Sequence, residues 1–176
     1  MNTHIPISEA PFDKVINRFE RKKLSACKSA GFAVEMAARQ SIESIYTFIQ
    51  QSYSEKNYPL SMTENQFEIL FQQFPRACHV ILVKDNREII ALCVSIIVTE
   101  KILYLFLPAD LLSYRKFSPM VLLYEALYNY AKAEMIEILD LGTSLDDHGN
   151  EKPDLIRFKK NMGGQESLKI TYQKQV

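Results

Sequence analysis

No charge of either sign dominates this chain: 21 Lys and Arg stand against 21 Asp and Glu in 176 residues. A generic grip on nucleic acid needs a broad basic surface, so the balance excludes DNA as a partner. No apolar run approaches the ~20 residues of a membrane helix, which excludes a membrane span. The N-terminal MNTHIPISEAPFDK lacks a basic-then-apolar signal pattern, and the expected location is the cytoplasm. Cysteine is scarce: Cys27, Cys78 and Cys93 are odd in number and form no CxxC, which fits free, core-packed thiols in a reducing compartment. The histidines His4, His79 and His148 have no partners at ligand spacing. Adjacent positions in Asp146-Asp147-His148-Gly149 cannot all point inward, so no metal is expected. Gly-x-Ser-x-Gly, Walker and dinucleotide patterns are absent, and so are repeats, low-complexity tracts and a clear linker.

What is present implies one α/β domain over residues 12–176, long enough to bury a core, behind a flexible polar arm over 1–11. Phe12, Val15, Ile16, Phe19, Leu24 and Cys27 recur at helical spacing over 12–30. The other face of that helix carries Lys14, Arg18, Arg21, Lys22, Lys23 and Lys28, either a solvated charged face or an anion site in which Arg21 and Lys22 take part. A strand over 32–36 follows, and Ser41 is the expected cap of a helix with Ile42, Ile45, Phe48 and Ile49 inward. Thr63-Glu64-Asn65-Gln66 reads as a capping box opening a helix that Pro75 closes. Strands over 78–84 and 88–98 join through Asp85-Asn86-Arg87, a polar turn of hairpin length, and a third strand runs over 102–107. Their near-continuous apolar content implies a sheet covered on both faces.

The last third carries the motifs. Ser118-Pro119 reads as a helix start, a hydroxyl cap followed by proline at the first helical position. A strand over 136–141 breaks at Gly142, a short helix over 156–161 stops at Gly163-Gly164, and a final strand is expected over 167–173. After the basic helix the order is β-α-α-β-β-β-α-β-α-β. A mixed, mostly antiparallel central sheet with helices on both faces and a βαβ crossover near its end is the topology of the GNAT acyltransferase fold.

Within that topology the chain resembles the FemAB-like group, which includes the peptidoglycan aminoacyl-transferases. The resemblance runs from about Val15 to Tyr172. It rests on Lys28-Ser29-Ala30-Gly31, Ser118-Pro119, Asp140-Leu141-Gly142-Thr143-Ser144 and Phe158-Lys159-Lys160-Asn161-Met162-Gly163-Gly164, in family order. It implies a transferase moving an acyl or aminoacyl group from an activated donor to a small-molecule or peptide amine. Lys159 matches the family's active-centre lysine, expected to stabilise charge developing on the acyl oxygen; read without the resemblance, it sits on a helix surface beside Arg157 and Lys160. Asp140 positions the amine nucleophile or accepts its proton, or else caps the Gly142 loop. Thr143 and Ser144 bond substrate or shape the turn.

An ordinary GNAT enzyme cradles the pyrophosphate of coenzyme A on a glycine-rich loop and a helix N-terminus. The equivalent stretch here is Arg115-Lys116-Phe117-Ser118-Pro119-Met120. Its small positions are replaced, and Pro119 has no amide to donate. Acetyl-CoA or another acyl-CoA is the expected donor only if Arg115 and Ser118 substitute for that cradle. A catalytically inactive GNAT-like domain that binds a ligand or partner is the alternative, and an exposed strand edge offers a homodimer contact.

Overall fold

A computed structural model describes residues 1–37, 42–146, 148–170 and 172–174. In chain order the elements are β1 (Asn2–Pro6), α1 (Phe12–Val15), α2 (Arg18–Ser29), β2 (Ala33–Met36), α3 (Ile42–Glu55), α4 (Glu64–Gln73), β3 (Cys78–Asp85), β4 (Glu88–Thr99), β5 (Ile102–Asp110), α5 (Met120–Ala133), β6 (Ile138–Thr143), α6 (Pro153–Asn161) and β7 (Gln165–Ser167). The strands form one seven-stranded sheet in the order β2-β3-β4-β5-β6-β1-β7. Every neighbouring pair is antiparallel except β5 and β6, whose parallel contact follows from the crossover through α5.

Two apolar layers cover the sheet, as the doubly buried strands imply. On β3, Ile81 and Val83 face the layer built by α1, α2 and α5, while Val80 and Leu82 face α3 and α4. The same alternation on β4 sends Ala91 and Cys93 one way and Leu92 and Val94 the other. Cys27, Cys78 and Cys93 are free and buried. The capping box at Thr63 and Gln66 is present with both of its hydrogen bonds. The Ser41 cap lies outside the described residues, and among those described no helix is long and apolar enough to cross a membrane.

Three expectations are corrected. Residues 1–11 are not a loose arm, because β1 is an inner strand between β6 and β7 with Ile5 fully buried. The helix expected over 12–30 is two helices: α1 ends at Val15, and the Asn17 side chain caps α2 by accepting from the Glu20 amide at 2.9 Å. That break rotates Phe19 out to 61% exposure, with the Lys23 ammonium 4.6 Å from its ring centre. The last strand, expected over 167–173, is the short β7, paired with β1 through Gln165, Glu166 and Ser167. Leu168, Ile170 and Tyr172 beyond it are exposed.

Of the glycines, the pair after α6 sits against its neighbours most closely. A Cβ at Gly163, where φ is +88°, would meet Val15 side chain and lie 3.0 Å from the Val15 carbonyl oxygen. One at Gly164 would lie 2.6 Å from both the Lys159 carbonyl and the Thr3 methyl. Side chains at either position would therefore force α6 away from α1 and β1.

Candidate active site

β5 and β6 pair only where Ile102–Tyr104 meet Ile138–Asp140. Beyond that β5 runs to Asp110 and β6 to Thr143 with no pairing between them. Each strand has a local reason to part. On β5, Val94 opposes Leu107 while Ser95 opposes Leu105, so Phe106 is an extra residue, and a one-residue bulge inverts the faces. Leu103 and Leu105 accordingly face the α5 layer, whereas Leu107 and Ala109 face α3 and α4. On β6, Gly142 bends the chain at φ +70°, and a Cβ there would lie 3.2 Å from the Tyr104 ring. The Gly142 amide donates to Asp140 Oδ1 at 2.8 Å.

Asp140 and Lys159 are fastened to this bend. Asp140 Oδ1 also accepts from Asn2 Nδ2 at 2.9 Å. Lys159 is 4% exposed, and its Nζ donates to the Gly142 carbonyl at 3.0 Å and the Thr143 carbonyl at 2.7 Å. Burial pulls its pKa down to about 8, partly offset by the charge of Asp140. Ser144 is buried, and its hydroxyl has no partner among the described residues. The Asp-Leu-Gly-Thr-Ser and Phe-Lys motifs thus meet as one network that sets the course of β6.

The parting opens a cleft of about 1090 Å³ bounded by Tyr53, Lys56 and Tyr58 from α3 and its connector, Pro108 and Asp110 of β5, and Tyr124 of α5. Arg115 and Ser118 line it before α5, and Asp146, Glu151, Lys152, Asp154 and Phe158 complete the α6 side. Lys159, Asp140, Thr143 and Ser144 are not among the lining side chains. Arg21 donates to the Asp13 and Ile16 carbonyls and so secures the α1–α2 break. Lys22 is exposed on α2, and neither residue lines the cleft.

At the start of α5 the expected hydroxyl cap is absent. Ser118 lies at φ +56°, Pro119 is the N-cap residue of α5, and no side chain caps the helix. The amides of Tyr114, Arg115, Phe117 and Ser118 donate to the carbonyls of Leu111, Leu112 and Tyr114. Those four amides are spent within the turn and Pro119 has none, so none of the five can serve a pyrophosphate. The Arg115 side chain is exposed and carries no ion pair among the described residues, which leaves it open to an anion.

Sequence reasoning missed the opposite wall. Lys56 Nζ donates to Asp110 Oδ1 at 2.6 Å and to the Asp110 carbonyl at 2.7 Å. Fully buried Ser52 bonds both the Asp110 carbonyl and amide, at 2.8 and 3.1 Å. These contacts hold the end of β5 where β6 has left it, while its other edge stays paired with β4. The partners lie 54 and 58 residues apart, so no local pattern could have joined them. Burial pushes the Tyr53 hydroxyl up to about 12, which keeps it a neutral donor. Asp146 is engaged by the His148 and Asn150 amides and the Asn150 side chain, which hold its pKa low. Among the described residues no cluster of His, Cys, Asp and Glu is arranged to hold a metal ion.

The sequence model of the acetyltransferase (GNAT) domain family matches residues 14–160. Among solved structures, the chain is similar to FemX, at TM-score 0.78 and 13% identity over 93% of this chain and 58% of that one. It is similar also to the C-terminal domain of a lysylphosphatidylglycerol synthetase from Agrobacterium fabrum, at TM-score 0.64 and 15% identity over 93% of this chain and 56% of that one. An aminoglycoside N-acetyltransferase solved in complex with CoA matches at TM-score 0.58 and 8% identity, over 82% of this chain and 94% of that one. The chain spans somewhat over half of the first two chains. No curated protein matches. With the splayed β5–β6 pair, the crossover helix and a match over most of its length, the chain belongs to the acetyltransferase (GNAT) domain family.

Proposed function

We propose that the chain transfers an acyl or aminoacyl group from an activated thioester or ester to an amine, inside the cleft between β5 and β6. The observation that carries this reading is the parting itself: a roomy cleft with an unpaired guanidinium on one wall and carboxylates on the other. Arg115 receives the donor's anionic portion through its side chain, which carries no ion pair among the described residues, while four amides of the turn before α5 are bonded within it. An acyl-CoA fits the cleft on those terms, held by side chains.

In the reaction the neutral amine nitrogen attacks the acyl carbonyl carbon and the carbon–nitrogen bond forms. The bond from that carbon to the donor's sulfur or oxygen breaks, and the leaving group takes the proton the amine gives up. Asp110, paired with Lys56 at 2.6 Å, lines the cleft and orients the amine. Lys159 and Asp140 act as positioning residues, through the Gly142 bend that keeps β6 apart from β5. The test is thiol release from acetyl-CoA in the presence of a panel of primary amines. Arg115→Ala is expected to raise the KM for donor roughly tenfold with kcat largely kept, the loss typical of one charge-assisted contact. Release that is unaffected by Arg115→Ala, or no release with any amine, contradicts the reading.

A further inference from the structure

Tyr58 and Lys152 come from opposite layers of the molecule. Tyr58 follows α3, which packs with α4 on one face of the sheet, and Lys152 immediately precedes α6, whose Phe158 and following Met162 pack with the α5 layer. The Lys152 ammonium nevertheless lies 4.7 Å from the centre of the Tyr58 ring. Both residues line the cleft, and the strands between those layers are unpaired at this point, so the contact bridges the opening. Tyr58 is held for the purpose by its amide bond to the Tyr53 carbonyl at 2.9 Å and by edge-on packing against the Tyr53 ring. Tyr58 remains 50% exposed and lines the cleft.

The chemistry around this contact suits an organic cation. Glu151, beside Lys152, lines the cleft and carries no ion pair among the described residues. Tyr124 and Phe158 pack edge to face and add aromatic wall. A tyrosine face that already takes one ammonium, in a cleft that also carries the Glu151 carboxylate, suits a second ammonium of the same kind.

We propose that Tyr58, with Glu151, binds a cationic group of the acceptor distinct from the amine that is acylated, and that Lys152 is an internal occupant which this group displaces. The acceptor class is then a diamine or a lysine-like side chain presented with a second positive charge. The proposal rests on the cleft being the acceptor's site, and Lys152 tunes acceptor affinity by competing for the ring.

The test is calorimetric titration with 1,5-diaminopentane, without any acyl donor, on the full chain and its Lys152→Met, Tyr58→Leu and doubly substituted variants. Removing the competitor in Lys152→Met should tighten binding by roughly three- to tenfold, and Tyr58→Leu should weaken it by a similar factor, the scale of one cation–π contact. In the Tyr58→Leu background the gain from Lys152→Met should disappear, because the two substitutions act on one contact. Thermal melts of each variant establish that it is folded. Diamine binding that is absent in every folded variant, or unchanged or weakened by Lys152→Met, overturns the proposal. So does a gain that persists without Tyr58, since it then reports general charge repulsion. A parallel titration with inorganic pyrophosphate should be indifferent to Lys152→Met; binding lost there would assign Lys152 to the donor's anion instead. Because no donor is present, failure here leaves acyl transfer standing, while diamine binding with no turnover of any donor would count against acyl transfer alone.

Discussion

A lysine buried to 4% exposure and bonded to two backbone carbonyls has a pH dependence that can be worked out. In the folded chain Lys159 loses its proton near pH 8, against an ordinary value of 10.5 in the unfolded chain. Between those limits the unfolded state holds the extra proton, so raising the pH favours folding. The burden of a buried ammonium is fully present below about pH 8 and is relieved as the pH approaches 10.5. The difference in unfolding free energy between wild type and Lys159→Met should therefore shift in favour of the wild type across that window, by up to about 3 kcal/mol. Urea titrations at a series of pH values measure it. A flat difference would mean that Lys159 holds its proton equally in the folded and unfolded states, as a solvated lysine does. The residue was visible in the sequence as part of Phe-Lys-x-x-x-Gly-Gly. Its burial was not, because Arg157 and Lys160 beside it are exposed, and only the fold of β6 supplies the carbonyls that draw it inward.

Elements were legible where their pattern is local. The Thr63–Gln66 capping box, the hairpin between β3 and β4 and the apolar face of α5 are all written in short spacings, and the structure contains each. β1 was not legible, since five residues that are mostly polar and end in proline become a strand only by pairing with β6 and β7, far along the chain. Its place inside the sheet makes a prediction. Ile5→Ala should cost about 2–5 kcal/mol of stability, as for any buried aliphatic truncation, whereas a loose arm would give no change in a denaturant titration. The glycine pair was read as a helix stop, and its second role is close packing. Gly163→Ala combines a left-handed φ with a clash against Val15, while Gly31→Ala has a similar φ of +78° but open space around it. Gly31→Ala should cost about 1–2 kcal/mol, and Gly163→Ala distinctly more, measured side by side by thermal unfolding. Equal losses would show that α1 can move away from Gly163 freely.

Across the whole molecule, the cleft exists because one strand carries an extra residue and its neighbour bends at a glycine. The bulge at Phe106 was hidden in an apolar run whose facing changes without any break in composition. The mostly antiparallel sheet with its crossover could be read from element order, and with it the GNAT topology. The cleft lining could not, because Lys56, Arg115 and Lys152 meet only when α3, the turn before α5 and the α6 loop are folded together. The basic face of α2, attractive as an anion site in the sequence, carries Lys22 away from that cleft. These placements separate two origins for any anion binding. Calorimetric titration of acetyl-CoA into the wild-type chain and its Arg115→Ala and Lys22→Ala variants distinguishes them most directly. Binding to wild type is expected in the micromolar range, roughly tenfold weaker in Arg115→Ala and unchanged in Lys22→Ala. No heat with folded wild type, or binding lost in Lys22→Ala and kept in Arg115→Ala, would contradict the placement of the donor in the β5–β6 cleft.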